Sequence, residues 1–410
     1  MDANYRKELE PGFTPVTICE EAARCLLCHD APCSKACPAG TDPAKFIRSV
    51  RFRNFKGAAE TIRENNILGA VCARVCPTEK YCQNGCSRCG IDRPIDIGRI
   101  QRYVTDLEEA FGMKILEAPA EKNGKTVAVI GGGPGGLSVA GELLRRGYAV
   151  TLYEKEEKLG GYLRYGIPEY RLPTHVVDSE IARIVSLGLT VHTGVKIGKD
   201  VTVDELKKQH DAVVVAIGQS EGKWLPMFAD NENVETAVSF LKRVKEAGGR
   251  IDVAQNVLVV GGGDVSMDVC TTLKLLGAKN VTAIAYEEFC EFKASRKELE
   301  GAHALEVSIY DGYIPTKVEG KTVTFRHRKI ASEITFTADK IILAVGQQTA
   351  ADGLGLHMTH GEVDSESFRV EGTNVFVVGD VSKNPEKSVV GAVKSAKLAA
   401  CAIDAYLGGK

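Results

Sequence analysis

The chain has 410 residues, of which 44% are hydrophobic, and its formal net charge at pH 7 is −2. This length exceeds what one hydrophobic core can organise and predicts about three domains. The near-neutral charge gives no basis for binding nucleic acid or an anionic membrane, and no apolar run approaches the ~18 residues of a membrane span. We therefore expect a cytoplasmic enzyme with neither nucleic acid nor membrane as a partner.

Nine of the 13 cysteines lie in two groups near the start of the chain. The first group closes on Cys37-Pro38, and the second contains Cys76-Pro77. Cysteine runs that close on Cys-Pro are typical of chains that hold [4Fe-4S] clusters through thiolates. The nine residues are Cys25, Cys28, Cys33, Cys37, Cys72, Cys76, Cys82, Cys86 and Cys89. Together they provide enough sulfur for two clusters.

Three other interpretations of these cysteines compete. Structural zinc favours short two-cysteine hooks with four ligands per ion. Disulfides suit a secreted chain, but the N-terminal stretch MDANYRKELEPGF lacks the apolar segment of a signal peptide. Scattered buried thiols would not concentrate so many cysteines in so short a stretch. The two Cys-Pro steps favour the iron-sulfur interpretation over all three.

In these motifs the chain resembles the iron-sulfur domain shared by dihydropyrimidine dehydrogenases and the small subunits of bacterial glutamate synthases. In that family the two cysteine groups exchange ligands, and the second cluster takes a non-cysteine ligand from the helix that follows. Here that helix begins in the segment PIDIGRIQRYV. The ligands that the resemblance implies are Cys25, Cys28, Cys33 and Cys86 for one cluster, and Cys37, Cys76, Cys82 and Gln101 for the other.

The glutamine at position 101 bears on the branch of the family. Dihydropyrimidine dehydrogenases resemble this chain in using glutamine there, whereas glutamate synthase small subunits tend to have glutamate. An amide adds no negative charge, so we expect it to leave the cluster potential higher than a carboxylate would. Gln101 therefore favours the pyrimidine branch, unless it is an ordinary exposed helix residue. The family gives no ligand role to Cys72 and Cys89, which we expect to be packed thiols.

Residues 1–120 are predicted to be helices and connections around the cysteines. The stretch AAETIRENNILGAVCARV has helix-like spacing. A further helix places apolar residues at i, i+3, i+4 and i+7, namely Ile100, Tyr103, Val104 and Leu107. Residues 117–125 then form a polar linker that contains Pro119 and Gly124.

An apolar strand, a glycine turn, a helix and a second strand follow in residues 126–155. The turn carries Gly131, Gly133 and Gly136, and the second strand ends on Glu154. Such glycines permit a tight turn and the close approach of a pyrophosphate, and the acid accepts ribose hydroxyls. A glycine-rich structural turn would not account for the acid. This stretch therefore predicts a Rossmann-like dinucleotide-binding fold.

The next segment favours FAD as the dinucleotide of this first site. Gly160-Gly161 is the continuation found in flavoproteins that bind two dinucleotides. By resemblance, the segment YGIPEYRLP (165–173) lies near the isoalloxazine ring in this family. Arg171 is thus a candidate catalytic residue near the flavin or the electron exit, or else a solvated loop arginine.

The strand-glycine-helix-strand plan then occurs a second time, in residues 256–288. A helix at 174–187 and strands near 189–193 come first. The tripeptide Ala216-Ile217-Gly218 resembles the motif at which such flavoproteins pass from the FAD domain to the NAD(P) domain. Ser266 takes the place of the third glycine. The predicted nicotinamide-cofactor residues are Gly261, Gly263, Ser266, Tyr286 and Glu287.

The strand after the second glycine motif bears on the choice of nicotinamide. In relatives that use NADPH, two arginines there grip the 2′-phosphate. Alignment on Ser295-Arg296-Lys297-Glu298 puts Tyr286 and Glu287 at those positions, with Glu288 next. A carboxylate repels a 2′-phosphate and accepts bonds from a free 2′-hydroxyl, which predicts NADH rather than NADPH. Alternatively, these acids face solvent and Arg296 or Lys293 holds the phosphate.

The last part of the chain returns to the first dinucleotide fold. Residues 305–340 alternate as strands do and are predicted to be a sheet insertion in the nicotinamide domain. The stretch 340–348 resembles the segment around Ala216-Ile217-Gly218 and marks the return of the chain to the FAD domain. By resemblance, Gly379-Asp380 contacts the flavin ribityl chain, and the closing helix at 388–407 directs its N-terminal amides at the flavin.

The predicted fold class is α/β, with a helical double [4Fe-4S] domain followed by two Rossmann-like dinucleotide-binding domains. The iron-sulfur domain covers residues 1–120. The FAD-binding domain has two parts, 121–220 and 346–410. The NAD(P)H-binding domain, residues 221–345, is inserted between them.

These cofactors together indicate an oxidoreductase that divides a hydride into single electrons. Hydride transfer from a nicotinamide to a flavin needs stacking and distance but no protein acid or base. Beyond the N-terminal domain the cysteines are Cys270, Cys290 and Cys401, which lie far apart in sequence and disfavour a disulfide reductase. No segment is left for an FMN barrel, so we expect the electrons to leave to a separate polypeptide.

The resemblance implies that this polypeptide is the FMN-containing catalytic subunit of a dihydropyrimidine dehydrogenase. In such a hetero-oligomer, NADH would drive the reduction of uracil and thymine to 5,6-dihydropyrimidines. Two alternatives are the small subunit of a glutamate-synthase-type enzyme and a stand-alone NAD(P)H:acceptor or ferredoxin reductase.

Overall fold

The computed structural model of the chain describes residues 2–351, 353–383 and 386–408. The chain divides into two compact units. The smaller unit comprises Met1–Leu9, Tyr165–Pro173 and Ser220–Gln348, and the larger one comprises Glu10–Arg164, Thr174–Gln219 and Thr349–Lys410. Within the described residues, no helix combines the length and the apolar character needed to cross a bilayer.

Helices dominate the chain before the first strand. They are α1 (Asp2–Arg6), α2 (Thr17–Ala23), α3 (Pro32–Lys35), α4 (Pro43–Arg51), α5 (Phe55–Asn65), α6 (Gly69–Val75) and α7 (Ile97–Ala110). Side-chain oxygens cap the longer ones, because Asp42, Asn54 and Asp96 each accept a hydrogen bond from a backbone N–H of the first turn. The fully buried residues Phe46, Ile62, Ile100 and Val104 belong to the core of this region.

The stretch predicted as a helix from Ala58 to Val75 forms two helices, α5 and α6. The break falls at Asn66, whose side-chain oxygen accepts a hydrogen bond from the N–H of Leu68 at 3.0 Å. Asparagine competes for backbone groups in this way and favours turns over helix interiors. The break allows α6, which leads to Cys76, to run in its own direction.

The first dinucleotide fold follows. Its elements are β1 (Thr126–Ile130), α8 (Pro134–Arg145), β2 (Ala149–Glu154), α9 (Tyr162–Tyr165), α10 (Thr174–Val185), β3 (Thr190–Thr193), α11 (Val203–Gln209) and β4 (Ala212–Val215). All four residues of β4 are buried, as expected for a central strand covered on both faces.

The elements up to residue 348 build the smaller unit. They are β5 (Glu221–Gly222), β6 (Val234–Thr236), α12 (Ala237–Glu246), β7 (Asn256–Val260), α13 (Asp264–Leu275), β8 (Asn280–Ile284), α14 (Arg296–Ala304), β9 (Ser308–Tyr310), β10 (Tyr313–Glu319), β11 (Thr322–His327), β12 (Glu333–Thr337), β13 (Lys340–Leu343) and β14 (Gln347–Gln348). The antiparallel sheet β10-β11-β12 confirms the strands predicted in residues 305–340.

The chain then completes the larger unit with β15 (Met358–Thr359), β16 (Glu362–Val363), β17 (Val375–Val377) and α15 (Val389–Tyr406). Its parallel sheet has the order β17-β4-β1-β2-β3, and the parallel sheet of the smaller unit has the order β6-β13-β7-β8-β9. In both sheets the strand before the glycine turn is central, and strand order reverses beside it. Ligands bind outside the carboxyl ends of the strands at such a switch point.

Two short stretches complete the core of the smaller unit although they are remote from it in sequence. Tyr5 of α1 and Tyr170 are both buried, and their rings meet edge to face at 6.0 Å. Arg6 donates a hydrogen bond to the carbonyl of Gly248 at 3.1 Å. The first helix therefore packs with the smaller unit, while the helices from α2 onward surround the cysteines.

Candidate functional site

Four half-buried cysteines of the larger unit line one cavity. They are Cys25, Cys28, Cys33 and Cys86, hereafter the first thiol set. Cys25 follows α2, Cys33 lies in α3, and Cys86 comes much later in the chain. Alanine and isoleucine side chains form most of the remaining wall. The structure thus brings together the four residues that the family pattern assigns to one cluster.

The arrangement of these thiols suits a cluster better than a single ion. All 13 cysteines are free thiols, so the disulfide interpretation is wrong. Among the described residues, no three His, Cys, Asp or Glu side chains converge closely enough to hold one metal ion. Zinc would draw four ligands to about 2.0–2.3 Å from one centre. In a cubane each thiolate binds its own iron, so thiols spread around a cavity fit that group.

The second thiol set is defined as Cys37, Cys76 and Cys82. Burial raises the pKa of Cys76 well above its usual range, and the thiols of Cys72, Cys82 and Cys37 raise it further, which indicates that all three lie near Cys76. Burial likewise raises the pKa of Cys82 to about 12. Because iron binds thiolates, loading of this set must release protons.

Gln101 lies on the buried face of α7, where it is 8% exposed. The interpretation of Gln101 as an exposed helix residue is therefore wrong. Its amide nitrogen donates a hydrogen bond to the carbonyl of Gly69, the first residue of α6, at 2.7 Å. This bond fixes the orientation of the amide and leaves its oxygen as the atom that can bind iron. Gln101 is thus bound to α6, the helix that leads to Cys76, and its role as a ligand stays a prediction.

The two cysteines without an expected ligand role differ from each other. Cys72 is buried on α6 and is a packed thiol, as predicted. Cys89 is exposed, so its prediction as a packed thiol is wrong. It lies in a short 3-10 turn, Ser87–Gly90, and its sulfur donates to the carbonyl of Gln83 at 3.3 Å. A surface turn offers no apolar neighbours that could cover the thiol.

The first glycine turn has the geometry that a pyrophosphate requires. Gly131 has a φ of +105°, and a Cβ at Gly136 would lie 1.8 Å from the carbonyl oxygen of Gly131. At Gly133 a Cβ would meet only Gly161, at 3.9 Å. Helix α8 begins directly after Gly133, so its free N–H groups face this open backbone. Gly161 packs against the turn, which explains why the double glycine recurs there.

Glu154, which is predicted to bind the ribose of the first dinucleotide, lies over the first glycine turn. It is buried, and its carboxylate accepts a hydrogen bond from the N–H of Gly132 at 2.6 Å. It also accepts one from the N–H of Glu156 at 2.9 Å. These bonds hold the carboxylate over the glycine turn, with lone pairs left for ribose hydroxyls.

Asp380 carries a buried oxygen without a hydrogen-bond partner. This atom is Oδ1, and Asp380 follows Gly379, whose φ is +73°. Burial raises the pKa of Asp380 from 3.8 to about 6, against the ammonium of Lys387, which lowers it. Unpaired buried carboxylate oxygens are rare and indicate a missing partner. A flavin ribityl hydroxyl would supply it, so the residues present fit FAD.

The second glycine turn repeats this arrangement in the smaller unit. Gly261 has a φ of +144°, and a Cβ there would lie 2.3 Å from the carbonyl oxygen of Ala344. Nothing lies within 4 Å of a Cβ built on Gly263. Ser266, in place of the third glycine, is buried and donates its hydroxyl to the carbonyl of Gly261 at 2.7 Å. A glycine at this position would leave room for the turn but form no bond to it. The hydroxyl of Ser266 stabilises the turn through its hydrogen bond to Gly261.

Glu287 holds the same position in the second fold that Glu154 holds in the first. A Cβ on Gly262 would lie 3.3 Å from a carboxylate oxygen of Glu287, and one on Gly132 would lie 3.1 Å from Glu154. Lys293 reaches the other carboxylate oxygen of Glu287 at 3.2 Å. The acid thus lies over the glycine turn rather than simply facing solvent, and its contact with a ribose stays a prediction.

Basic residues that the sequence did not indicate lie beside this position. Arg328 stacks on the ring of Tyr286 at 3.9 Å and donates to its carbonyl at 3.0 Å. Lys329 pairs with Glu288 at 2.7 Å. Arg296 turns to Glu300 instead. Arg326 to Lys329 are a basic stretch of the sequence, but nothing in the sequence shows that this stretch approaches Tyr286.

Arg171 is neither solvated nor free. It donates to Asp268 at 2.6 Å and pairs with Glu298 at 3.1 Å, all within the smaller unit. Burial raises the pKa of Asp268 to about 7, although Arg171 lowers it. The loop-arginine interpretation is therefore wrong, and a role near the flavin stays a prediction.

A buried ionic network joins the iron-sulfur helices to the first dinucleotide fold. Arg63 of α5 is completely buried and donates to Glu180 of α10 at 2.9 Å and to Glu108 of α7 at 2.9 Å. Glu180 also accepts from the N–H of Ala70 in α6 at 3.2 Å. Sequence reasoning missed these residues, since their motif-free spacing carries no signal.

Comparison with known proteins places these sites in a family. Residues 2–113 match the family model described as dihydropyrimidine dehydrogenase domain II, 4Fe-4S cluster. Residues 125–396 match the pyridine nucleotide-disulphide oxidoreductase model. Among solved structures, FprA from Mycobacterium tuberculosis is similar in fold, with a TM-score of 0.60 at 15% identity over 69% of this chain and 85% of that one.

Curated relatives match over nearly the full length. The NAD-dependent dihydropyrimidine dehydrogenase subunit PreT of Escherichia coli O157:H7 is 54% identical over 99% of this chain and 98% of its own length. That of Salmonella typhimurium is 52% identical over 98% of both chains. The chain carries a 4Fe-4S domain and an FAD- and NAD(P)-binding domain. It is an oxidoreductase that belongs to the family of NAD-dependent dihydropyrimidine dehydrogenase PreT subunits.

Proposed function

We propose that this chain is the electron-input subunit that oxidises NADH and passes single electrons to a separate catalytic subunit for the reduction of uracil and thymine. When bound, FAD supplies the exchange between the two-electron hydride of NADH and the one-electron steps of the clusters. The remaining work is binding and positioning, which falls to residues of the two glycine turns and the two thiol sets.

The dinucleotide residues have separate roles in this proposal. The backbone at Gly133 and Gly263 receives the two pyrophosphates, since a Cβ at either glycine would meet no atom closer than 3.9 Å. Glu154 and Glu287 accept the ribose hydroxyls. Asp380 accepts a ribityl hydroxyl with its unpaired Oδ1. No side chain is required as an acid or base, because a hydride carries its own proton and electron pair.

One observation supports the proposal most strongly: helix α15 serves the flavin site and the second thiol set at once. Its N-cap residue Ser388 contacts Tyr81, which lies between Cys76 and Cys82. Farther along α15, Lys397 reaches the loop after Cys37. Asp380 lies just before this helix. We infer that electrons leaving FAD reach the cluster of the second thiol set first and the cluster of the first thiol set next.

The pyrimidine substrate and the partner are inferred from the family and from Gln101. The relatives are named as subunits of a dihydropyrimidine dehydrogenase, which implies a catalytic partner. We infer that this partner contains FMN and forms a hetero-oligomer with the present chain. A neutral amide as the fourth ligand agrees with the pyrimidine branch, where the resemblance places glutamine.

The test is reconstitution with purified components. The iron- and FAD-loaded chain is mixed with an FMN-containing dihydropyrimidine dehydrogenase catalytic subunit, and NADH absorbance is followed. We expect NADH consumption to begin only when uracil or thymine is added, with a dihydropyrimidine as product. The chain alone should still reduce an artificial dye with NADH.

Two other outcomes would redirect the assignment. NADH consumption that depends on 2-oxoglutarate, glutamine and a glutamate synthase large subunit would identify a glutamate-synthase-type role instead. Rapid ferredoxin reduction without any added subunit would identify a stand-alone reductase. In either case a lack of uracil-dependent turnover would contradict the proposal.

A further inference from the structure

Lys397 connects the flavin-binding part of the larger unit with the loop that carries Cys37. Its ammonium donates to the carbonyl of Ala39 at 2.7 Å and to the carbonyl of Asn65 at 2.9 Å. Ala39 belongs to a turn that begins at Cys37, since the N–H of Gly40 donates to the Cys37 carbonyl at 3.0 Å. A cation is therefore held within one turn of a residue of the second thiol set.

The ammonium occupies a place that a neutral group could have filled. Asn65 is the last residue of α5, and its carbonyl needs a donor because helix ends leave such groups unpaired. Any donor would serve that purpose, whereas a half-buried lysine also brings a charge into a poorly hydrated region. The other groups whose charge acts on it are Glu142 and Arg145 of α8, together with the thiols of Cys37 and Cys401.

The charge has a direct electrostatic consequence for a cluster at this position. One-electron reduction adds one negative charge to the cluster and moves no other atom. A fixed positive charge nearby stabilises the reduced form, and net charge is among the factors that set iron-sulfur potentials. The first thiol set has a cation of its own, because Arg51 donates to the carbonyl of Cys25 at 3.3 Å, whereas Lys35 forms an exposed pair with Asp30.

We propose that Lys397 sets the reduction potential of the cluster of the second thiol set above that of an otherwise equal site, so that it accepts electrons readily from FAD. The inference rests on the electron route proposed above and adds the residue that tunes its first step. Lys397 acts here as a positioning residue through the Cys37 turn and through its charge.

The experiment is a mediated redox titration of the full, cluster-loaded chain, followed by electron paramagnetic resonance. Lys397→Gln keeps a hydrogen-bond donor and removes the charge, whereas Lys397→Arg keeps both. We expect Lys397→Gln to lower the reduction equilibrium constant of one cluster about tenfold, which is about 59 mV for one electron. The other cluster, and both clusters of Lys397→Arg, should titrate as in the unaltered chain. Lys394→Gln, one turn earlier on α15, is the matched control.

An unchanged potential in Lys397→Gln, or an equal shift in both clusters, would overturn the proposal. Iron loss in both Lys397 variants would also overturn it, since Lys397 would then only close the Cys37 turn. The titration uses mediators and dithionite rather than NADH. It therefore decides the role of Lys397 even if NADH-dependent turnover with the catalytic subunit fails, which would contradict the proposed function alone.

Discussion

Arg63 and Glu180 form a buried ion pair in which two guanidinium nitrogens donate to the two carboxylate oxygens, at 2.5 and 2.9 Å. Arg63 belongs to the helices around the thiol sets, and Glu180 belongs to α10 of the first dinucleotide fold. Glu108 accepts from the same guanidinium, and Arg183 pairs with both acids. This network fixes the helices around the thiol sets against the first dinucleotide fold.

We expect Arg63→Met to destabilise the larger unit by about 3–5 kcal/mol, because it leaves two buried carboxylates with Arg183 as their remaining cationic partner among the described residues. Arg63→Lys should also destabilise it, since an ammonium cannot bind both acids in the same planar geometry. Calorimetric unfolding measures the effect. The control is Lys56→Met, which removes an exposed pair with Glu60 and should cost less than about 0.5 kcal/mol. Equal transitions in the two variants would contradict the prediction.

Gln101→Ala should alter only one of the two clusters. Its amide oxygen is expected to complete the second thiol set, while the first set of four thiols remains whole. The unaltered chain should contain about eight iron atoms, and one paramagnetic signal should change in the variant. NADH should still bleach the flavin. Cys72→Ala serves as the control and should keep both clusters, because Cys72 is a packed thiol. Loss of both clusters in Gln101→Ala would show a structural role instead.

FAD affinity should depend on pH through Asp380. The raised pKa of about 6 means that the FAD-free chain favours the neutral carboxyl group. The stability that this group contributes is complete below about pH 4 and is lost as the pH rises through about 6. Bound FAD reverses this preference, because ribityl hydroxyls donate to the ionised form. We therefore expect FAD to bind more tightly above pH 6 than below it.

The measurement is a fluorescence titration of the FAD-free chain between pH 5 and pH 8. Asp380→Asn should weaken FAD binding about tenfold at the upper pH, equal to one hydrogen bond of roughly 1.4 kcal/mol. It should also remove the rise in affinity near pH 6. A rise that persists in Asp380→Asn would assign the titration to another group.

NADH should be preferred over NADPH. Glu287 lies over the turn at Gly262, and a carboxylate at the ribose of a bound cofactor would accept bonds from a 2′-hydroxyl and repel a 2′-phosphate. The combined effect should exceed ~2 kcal/mol, roughly thirtyfold in kcat/KM. The double variant Tyr286→Arg/Glu287→Arg should shift the preference toward NADPH. Lys293→Ala should leave it unchanged, because Lys293 is bound to Glu287. Equal kcat/KM values for the two cofactors in the unaltered chain would contradict the assignment.

Motifs with fixed spacing can be identified from the sequence alone. The glycine turns at Gly131 and Gly261 and the acids Glu154 and Glu287 require particular residue types at particular intervals. The thiols of the first set, although Cys86 is remote from Cys25, followed from the family pattern. For such residues the backbone geometry itself dictates the side chain.

Contacts between remote parts of the chain could not be read in this way. Arg63 and Glu180 carry no local signal, because any buried acid on α10 would look the same in sequence. The hydrogen bond from Lys397 to Ala39 depends on where α15 packs in the fold. The stacking of Arg328 on Tyr286 depends on the position of the hairpin that joins β11 and β12. Cysteine is usually buried, which predicts a packed thiol at Cys89. Its exposure is seen only in the structure, where it lies in a 3-10 turn.

The packing of α1 on the smaller unit affects how the protein is synthesised. Arg6 and its partner Gly248 are separated by 242 positions. At translation rates of about 5–20 residues per second, the ribosome needs roughly 12–48 s to traverse that interval. Until Tyr170 is made, Tyr5 lacks its native ring contact, and until Gly248 is made, Arg6 lacks its carbonyl acceptor. A slower ribosome would therefore lengthen the time for which α1 stays without these native contacts.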